Sequence, residues 1–215
     1  MSPRPYQLGQ RQAAVDATRQ KVLEAARALL AGPDGQPGFT VDAVAKQADV
    51  ARATVYYRFG TKSGLLEALF DSLAERGHLG ELPAAFTHPD PQEALRRFVA
   101  CFGRFWASDR LVLRRIRAIA ALDPEIGPVI QARDERRRTG LQVLAGRLDA
   151  ARGTGNGPAE VLMPGATATA GDDRIGLAHM LTSFETFDAL AGPDREPDAV
   201  IPVITDLVLH VMTTR

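Results

Sequence analysis

Apolar residues return every three or four positions along most of this chain, the spacing that keeps them on one face of an α-helix. Val22, Ala26, Leu29 and Leu30 define a first helix over roughly 18–31, which ends at the Gly- and Pro-rich "GPDGQPG". The spacing then predicts helices at 41–48, 52–59 and 62–76, the last with Leu65, Leu66, Leu69, Phe70 and Leu73 as its buried face. Further helices are expected at roughly 91–106, 109–121, 124–150, 174–191 and 197–213, with Pro202 confined to the first turn of the last. Alternation of the strand type is nearly absent, and no internal repeat is found. The fold class is all-α, with about nine helices.

Two segments interrupt the pattern. "ELPAAFTHPDPQ" (81–92) is Pro-rich and reads as a seam between a small N-terminal unit and the rest. Residues 151–173 are rich in Gly, Ala and Thr without periodicity and read as a mobile loop. The arginine run "RDERRR" (133–138) contains two carboxylates and reads as a solvated helix face rather than a nucleic-acid tract.

Composition narrows the function by exclusion. With 26 basic and 26 acidic residues in 215, no global charge advertises a polyanionic partner, so any basic patch is local. The single cysteine, Cys101, lies in an apolar run and reads as a core thiol in a reducing compartment. No run of about 18 apolar residues and no signal-like N-terminus occurs, so the expected location is cytoplasmic, with no membrane partner. His78, His88, His179 and His210 are scattered, without metal-ligand spacing or a nucleophile–base arrangement. No catalytic residue, metal or cofactor is therefore assigned.

Residues 41–59 meet the steric demands of a helix-turn-helix. Val44, Ala48, Val50 and Val55 pack the two helices on each other and on the first helix, with Phe59 also facing in, and Ala45 is small where the helices approach. Thr40 is placed to cap the first of the pair, and Asp42 faces its positive end. The turn falls at Asp49, one of the few non-glycine types that accept a left-handed backbone. Arg52, Ala53, Thr54, Tyr56, Tyr57 and Arg58 are then left without a place in so small a core. They suit a DNA major groove: Arg52 can bond a guanine in bidentate fashion, Ala53 can pack on a thymine methyl, and the two tyrosine hydroxyls can address backbone. Lys62 can combine its charge with the free N–H groups of the next helix to hold a phosphate.

The stretch "FTVDAVAKQADVARATVYYRFGTKSGLLEALF" (39–70) resembles the DNA-binding signature of the tetracycline-repressor (TetR) family of bacterial regulators. The resemblance implies a three-helix DNA-binding domain with its N-terminal arm at 1–62. It implies a larger effector-binding and dimerisation domain at 63–215. It also implies DNA contacts by Thr40, Arg52, Ala53, Thr54, Tyr56, Tyr57, Arg58 and Lys62. The chain departs from the family at Ala51, where a capping Ser or Thr is common, and at Asp49, where Gly is frequent.

For the remaining two thirds, Phe98, Phe102, Phe105 and Trp106 share one helical stripe and Leu177, Leu181 and Phe184 another. Each aromatic taken singly reads as core. As a set, with the resemblance, Phe102, Phe105, Trp106, Leu181 and Phe184 are candidates to line a pocket for a small apolar effector. Val200, Val203, Ile204, Leu207, Val208 and Val211 give the last helix more apolar surface than one small domain covers, and the resemblance implies a homodimer there. The expected partners are a double-stranded DNA operator, a second copy of the chain and a small-molecule effector of unidentified structure. The function expected is a ligand-responsive transcriptional repressor. Its alternatives are an effector-independent DNA-binding protein and, remotely, an all-helical enzyme.

Overall fold

The computed structural model describes residues 4–35, 38–153, 170–193 and 195–214, with side chains from residue 13 onward except at 170–172 and 197. Among them are eleven α-helices, two short 3-10 turns and no strand. The helices are α1 (Arg4–Ala31), α2 (Val41–Gln47), α3 (Arg52–Phe59), α4 (Lys62–Arg76), α5 (Leu82–Thr87) and α6 (Pro91–Ser108). They continue as α7 (Arg110–Leu122), α8 (Gly127–Ala151), α9 (Ala170–Leu181), α10 (Phe184–Ala191) and α11 (Val200–Thr213). No helix among the described residues is long and apolar enough to cross a membrane. No group of three or more His, Cys, Asp or Glu among them could hold a metal ion.

Two compact units divide the chain: Met1–Ser72 with Leu111–Ile130, and Leu73–Arg110 with Gln131–Arg215. In the first, α1 packs on α2 and α2 on α3, around Val22, Ala26, Leu30, Val44, Ala48 and Val55. Leu65, Leu66, Leu69 and Phe70 of α4 are buried as their spacing predicts, each burial stabilising by roughly 1.5–3 kcal/mol. Arg115 on α7 donates to the carbonyls of Leu30 and Gly32, placing a cation at the C-terminal end of α1 where the helix dipole favours it.

In the second unit, α6 is central. Asp90 caps it by accepting from the Gln92 N–H at 2.9 Å, and Pro91 opens its first turn. It packs on α5, α10 and α11. Gly103 lets Ile201 of α11 sit directly on its backbone, where a Cβ would collide with that side chain.

Four expectations are corrected. The first helix begins at Arg4 rather than near 18, because residues 4–17 are mostly helix formers without an apolar stripe to signal them. The 81–92 seam is largely helical: Pro83 sits in the first turn of α5, where its missing N–H costs nothing. The single helix expected at 174–191 breaks at Thr182–Ser183, and the Ser183 hydroxyl caps α10 by accepting from the Thr186 N–H at 3.2 Å. The "RDERRR" face is not wholly solvated, since Arg137 is only 3% exposed. The expected loop at 151–173 lies mostly outside the described residues, its last four positions, 170–173, forming the first turn of α9.

Candidate nucleic-acid interface

Local chemistry sets the geometry of the helix-turn-helix. The Thr40 hydroxyl accepts from the Ala43 N–H at 3.1 Å and starts α2. Asp49 takes the turn with φ 49°, in the left-handed region. The Val50 N–H then donates to the Ala45 carbonyl at 3.0 Å, reversing the chain toward α3. Ala51 stands at the N-cap of α3 with extended backbone and no side-chain bond to offer. Ala51→Ser should therefore raise stability by about 0.5–1 kcal/mol, read as a higher thermal midpoint; no change would mean that solvent already serves those N–H groups equally well.

Of the eight residues of α3 only Val55 is buried. Tyr57 is 86% exposed and Tyr56 40%, so neither tyrosine belongs to the core. Arg52 and Ala53 are exposed, whereas Thr54, Arg58 and Phe59 are half-buried. The Arg19 guanidinium lies 5.6 Å from the centre of the Phe59 ring, which covers the end of α3. The Nε of Arg58 is enclosed without a hydrogen-bond partner.

Arg52 is held in a defined pose. It pairs with Asp42 of α2 at 3.1 Å, donates to the Tyr56 hydroxyl at 3.2 Å and lies 5.3 Å from the centre of the Tyr56 ring. The hydrogen bond to Tyr56, then the Asp42 carboxylate, holds its guanidinium above the usual arginine range. Asp42 thus has a second role beside the helix dipole that sequence spacing does not announce. At the other end Gly60 ends α3 with φ 72°, and the Thr61 hydroxyl caps α4 by accepting from the Gly64 N–H at 3.0 Å. One of the N–H groups expected to help hold a phosphate is therefore already engaged. Thr61 was findable in sequence as a Thr just ahead of an apolar periodic run. Gly64 is required by close approach, since a Cβ there would drive into the Phe59 carbonyl oxygen. Lys62 stands beside this turn with its ammonium 3.6 Å from Asp123.

In the second unit, the pocket candidates form a stacked series. Ring centres are 6.0 Å apart for Phe102–Trp106, 4.5 Å for Phe105–Trp106 and 5.7 Å for Trp106–Phe184. All four rings are buried, Leu181 is half-buried, and Leu177 turns outward. The free volume beside Phe102 and Trp106 is about 10 Å³, too little for an organic ligand. A more open recess of about 250 Å³ lies between α5 and α6, lined by Ala84, Ala85, Arg97, Cys101 and Arg104 among others. Burial pushes the Cys101 thiol up, against the opposing influence of Arg104. Of the six apolar residues singled out on α11, Val200, Ile204 and Val208 face inward, Val211 is half-buried, and Val203 and Leu207 are exposed.

A short, outward-facing helix after a left-handed turn, braced by two partner helices and followed by a capped fourth, defines a helix-turn-helix protein. Within that class, residues 22–69 match the sequence profile of the tetR family of bacterial regulatory proteins. It is similar to the HTH-type transcriptional regulator EthR of Mycolicibacterium smegmatis, 36% identical over 93 residues, which are 43% of this chain. That match spans 39% of the relative's length. Its fold is similar to that of a TetR transcription regulator from Haloarcula marismortui, with a TM-score of 0.64 at 15% identity, covering 92% of this chain and 97% of the other. It is also similar to a transcriptional regulator from Rhodococcus, with a TM-score of 0.62 at 20% identity, covering 90% and 95%. The family and these relatives are regulators rather than enzymes.

Proposed function

We propose that the protein is a transcriptional repressor that binds a near-palindromic DNA operator as a homodimer, each protomer laying α3 in a major groove. The observation that carries this reading is the composition of α3: one buried residue, with an arginine, an alanine and two tyrosines turned to solvent. A helix with so little to bury does not stabilise the fold by packing; its exposed side chains match the guanine, thymine-methyl and backbone chemistry of a groove. Arg52 is the base reader, preoriented by Asp42 and Tyr56, so less of its side-chain freedom is lost on binding. Tyr57 and Lys62 address the backbone, with Thr40, Ala53, Thr54, Tyr56 and Arg58 completing the contact surface.

Titrations on a selected operator and on scrambled DNA separate these roles. Lys62→Ala should weaken both alike and lower the salt slope by about one unit. Arg52→Ala should cost about 1–3 kcal/mol on the operator and relax preference at one base pair. Identical behaviour of the two variants would overturn the assignment.

Release by a small apolar effector is the finer part of the proposal, supported by the aromatic set of Phe102, Phe105, Trp106 and Phe184 with Leu181 beside it. Such a ligand would have to part rings that are now in contact, shifting the chain to a second state. The closed packing there favours the second reading, an effector-independent DNA-binding protein. Loss of operator binding on adding a small apolar compound would decide for the first.

A further inference from the structure

The partner of Lys62 is a carboxylate fixed by the turn that carries it. Asp123 lies between α7 and α8; its N–H donates to the Ile119 carbonyl at 2.9 Å, and its carbonyl accepts from the N–H groups of Ile126 and Gly127 at 3.1 and 2.9 Å. Its Oδ1 accepts from the Glu125 N–H at 3.0 Å, which leaves Oδ2 directed at Lys62. The position of this turn is set in turn by α7, whose Val112, Leu113, Ile116 and Ile119 are buried and whose Arg115 grips the end of α1. The carboxylate is thus not a mobile surface group that happens to meet a lysine. It is held at one end of an anchored helix, in the same compact unit as the helix-turn-helix.

We propose that Asp123 is an affinity-setting residue for DNA binding: it occupies Lys62 as an internal stand-in for a phosphate and must give it up when the duplex arrives. This rests on the DNA-binding reading above, with Lys62 as a backbone contact. Two consequences follow from the charges. When Lys62 moves to a phosphate, the carboxylate it leaves attracts a cation, which offsets part of the cation release from the DNA and so reduces the salt-dependent part of binding. Once abandoned, Asp123 stands as an uncompensated negative charge beside the DNA backbone. Both effects lower affinity in the wild-type protein. An ion pair at 3.6 Å with both partners partly exposed is weak, so this is a moderate restraint that DNA overcomes rather than a block.

The test is a double-mutant cycle between Asp123→Asn and Lys62→Ala, measured on a duplex that the wild-type full-length chain selects from a random pool. Asn keeps the acceptor for the Glu125 N–H, and Asp123→Ser provides a second variant with the same turn-capping ability. In the Lys62 background either change should tighten binding about three- to tenfold at roughly 50 mM salt and steepen the salt slope by up to about one unit, the gain fading at high salt. In the Lys62→Ala background the gain should shrink to about twofold or less. An equal gain in both backgrounds would reduce Asp123 to a general negative charge, and no gain in either would remove it from DNA binding; each overturns the proposal while leaving the protein a DNA binder. Failure of the wild-type chain to select any duplex would instead overturn the DNA-binding reading itself.

Discussion

Replacing Val203 and Leu207 together with Asp is expected to yield folded monomers that no longer bind the operator. α11 has two apolar faces. Val200, Ile204, Val208 and Met212 are at most 3% exposed and hold the second unit together. Val203 and Leu207 are 41% and 43% exposed, and α9, which packs on α11, adds the exposed Leu177 and Met180. Four large apolar side chains on two adjacent helices are what a second copy of the chain would cover. Because the two substituted positions are outside the core, helical content should largely survive, while the thermal midpoint falls only by the stabilisation that the partner copy supplied. Two carboxylates facing their symmetry mates in a buried contact would cost several kcal/mol without a partner to offset them. Specific DNA affinity should then fall by about 100-fold or more, since one protomer alone loses the second half-site. Sedimentation and operator titration read both effects. A variant that stays dimeric and still binds would place the interface on another face.

The second large effect is on stability. Arg137→Ala should destabilise the fold by about 2–4 kcal/mol, whereas Arg136→Ala, its exposed neighbour, should change it by less than about 0.5 kcal/mol. Arg137 donates to the Thr182 hydroxyl at 2.8 Å and the His179 carbonyl at 2.6 Å, pairs with Asp134 at 3.2 Å, and lies 5.9 Å from the Phe102 ring centre. Trp106 donates its indole N–H to the Thr182 carbonyl at 3.0 Å. The break between α9 and α10 is therefore tied to α8 and α6 by buried polar bonds, and removing the arginine strands their acceptors. Urea denaturation of the two variants makes the comparison; equal midpoints would mean that water replaces the guanidinium without cost.

The helices that carry the site were legible because their signals are local. Thr40 at a cap, Asp49 at a left-handed turn and the leucine spacing of α4 each involve residues within one or two turns, and α3 and α4 begin and end where the spacing places them. The exposure of Tyr56 and Tyr57 was also readable, by elimination, from how few core places α3 has to fill. Arg137 was missed although its position carried a signal. It shares a helical stripe with Ile130, Leu141, Leu144 and Leu148, all buried, and the charge run around it masked that spacing. The two faces of α11 could not be separated by spacing, because large apolar residues occupy both: Val200, Ile204, Val208 and Met212 inward, Val203 and Leu207 outward. The pairing of Arg52 with Asp42 joins two helices, and that of Lys62 with Asp123 joins segments far apart in sequence; neither leaves a local trace.

The first compact unit is not one continuous stretch of chain: residues 111–130 complete it. A gene fragment ending near Ser72 would encode every residue of the helix-turn-helix and still omit the buried face of α7, the arginine at the end of α1 and the carboxylate that holds Lys62. The helix-turn-helix is consequently not a cassette that can be grafted onto another protein by a single junction. A working chimera would need two crossovers, so that the 111–130 insert travels with the N-terminal segment it completes.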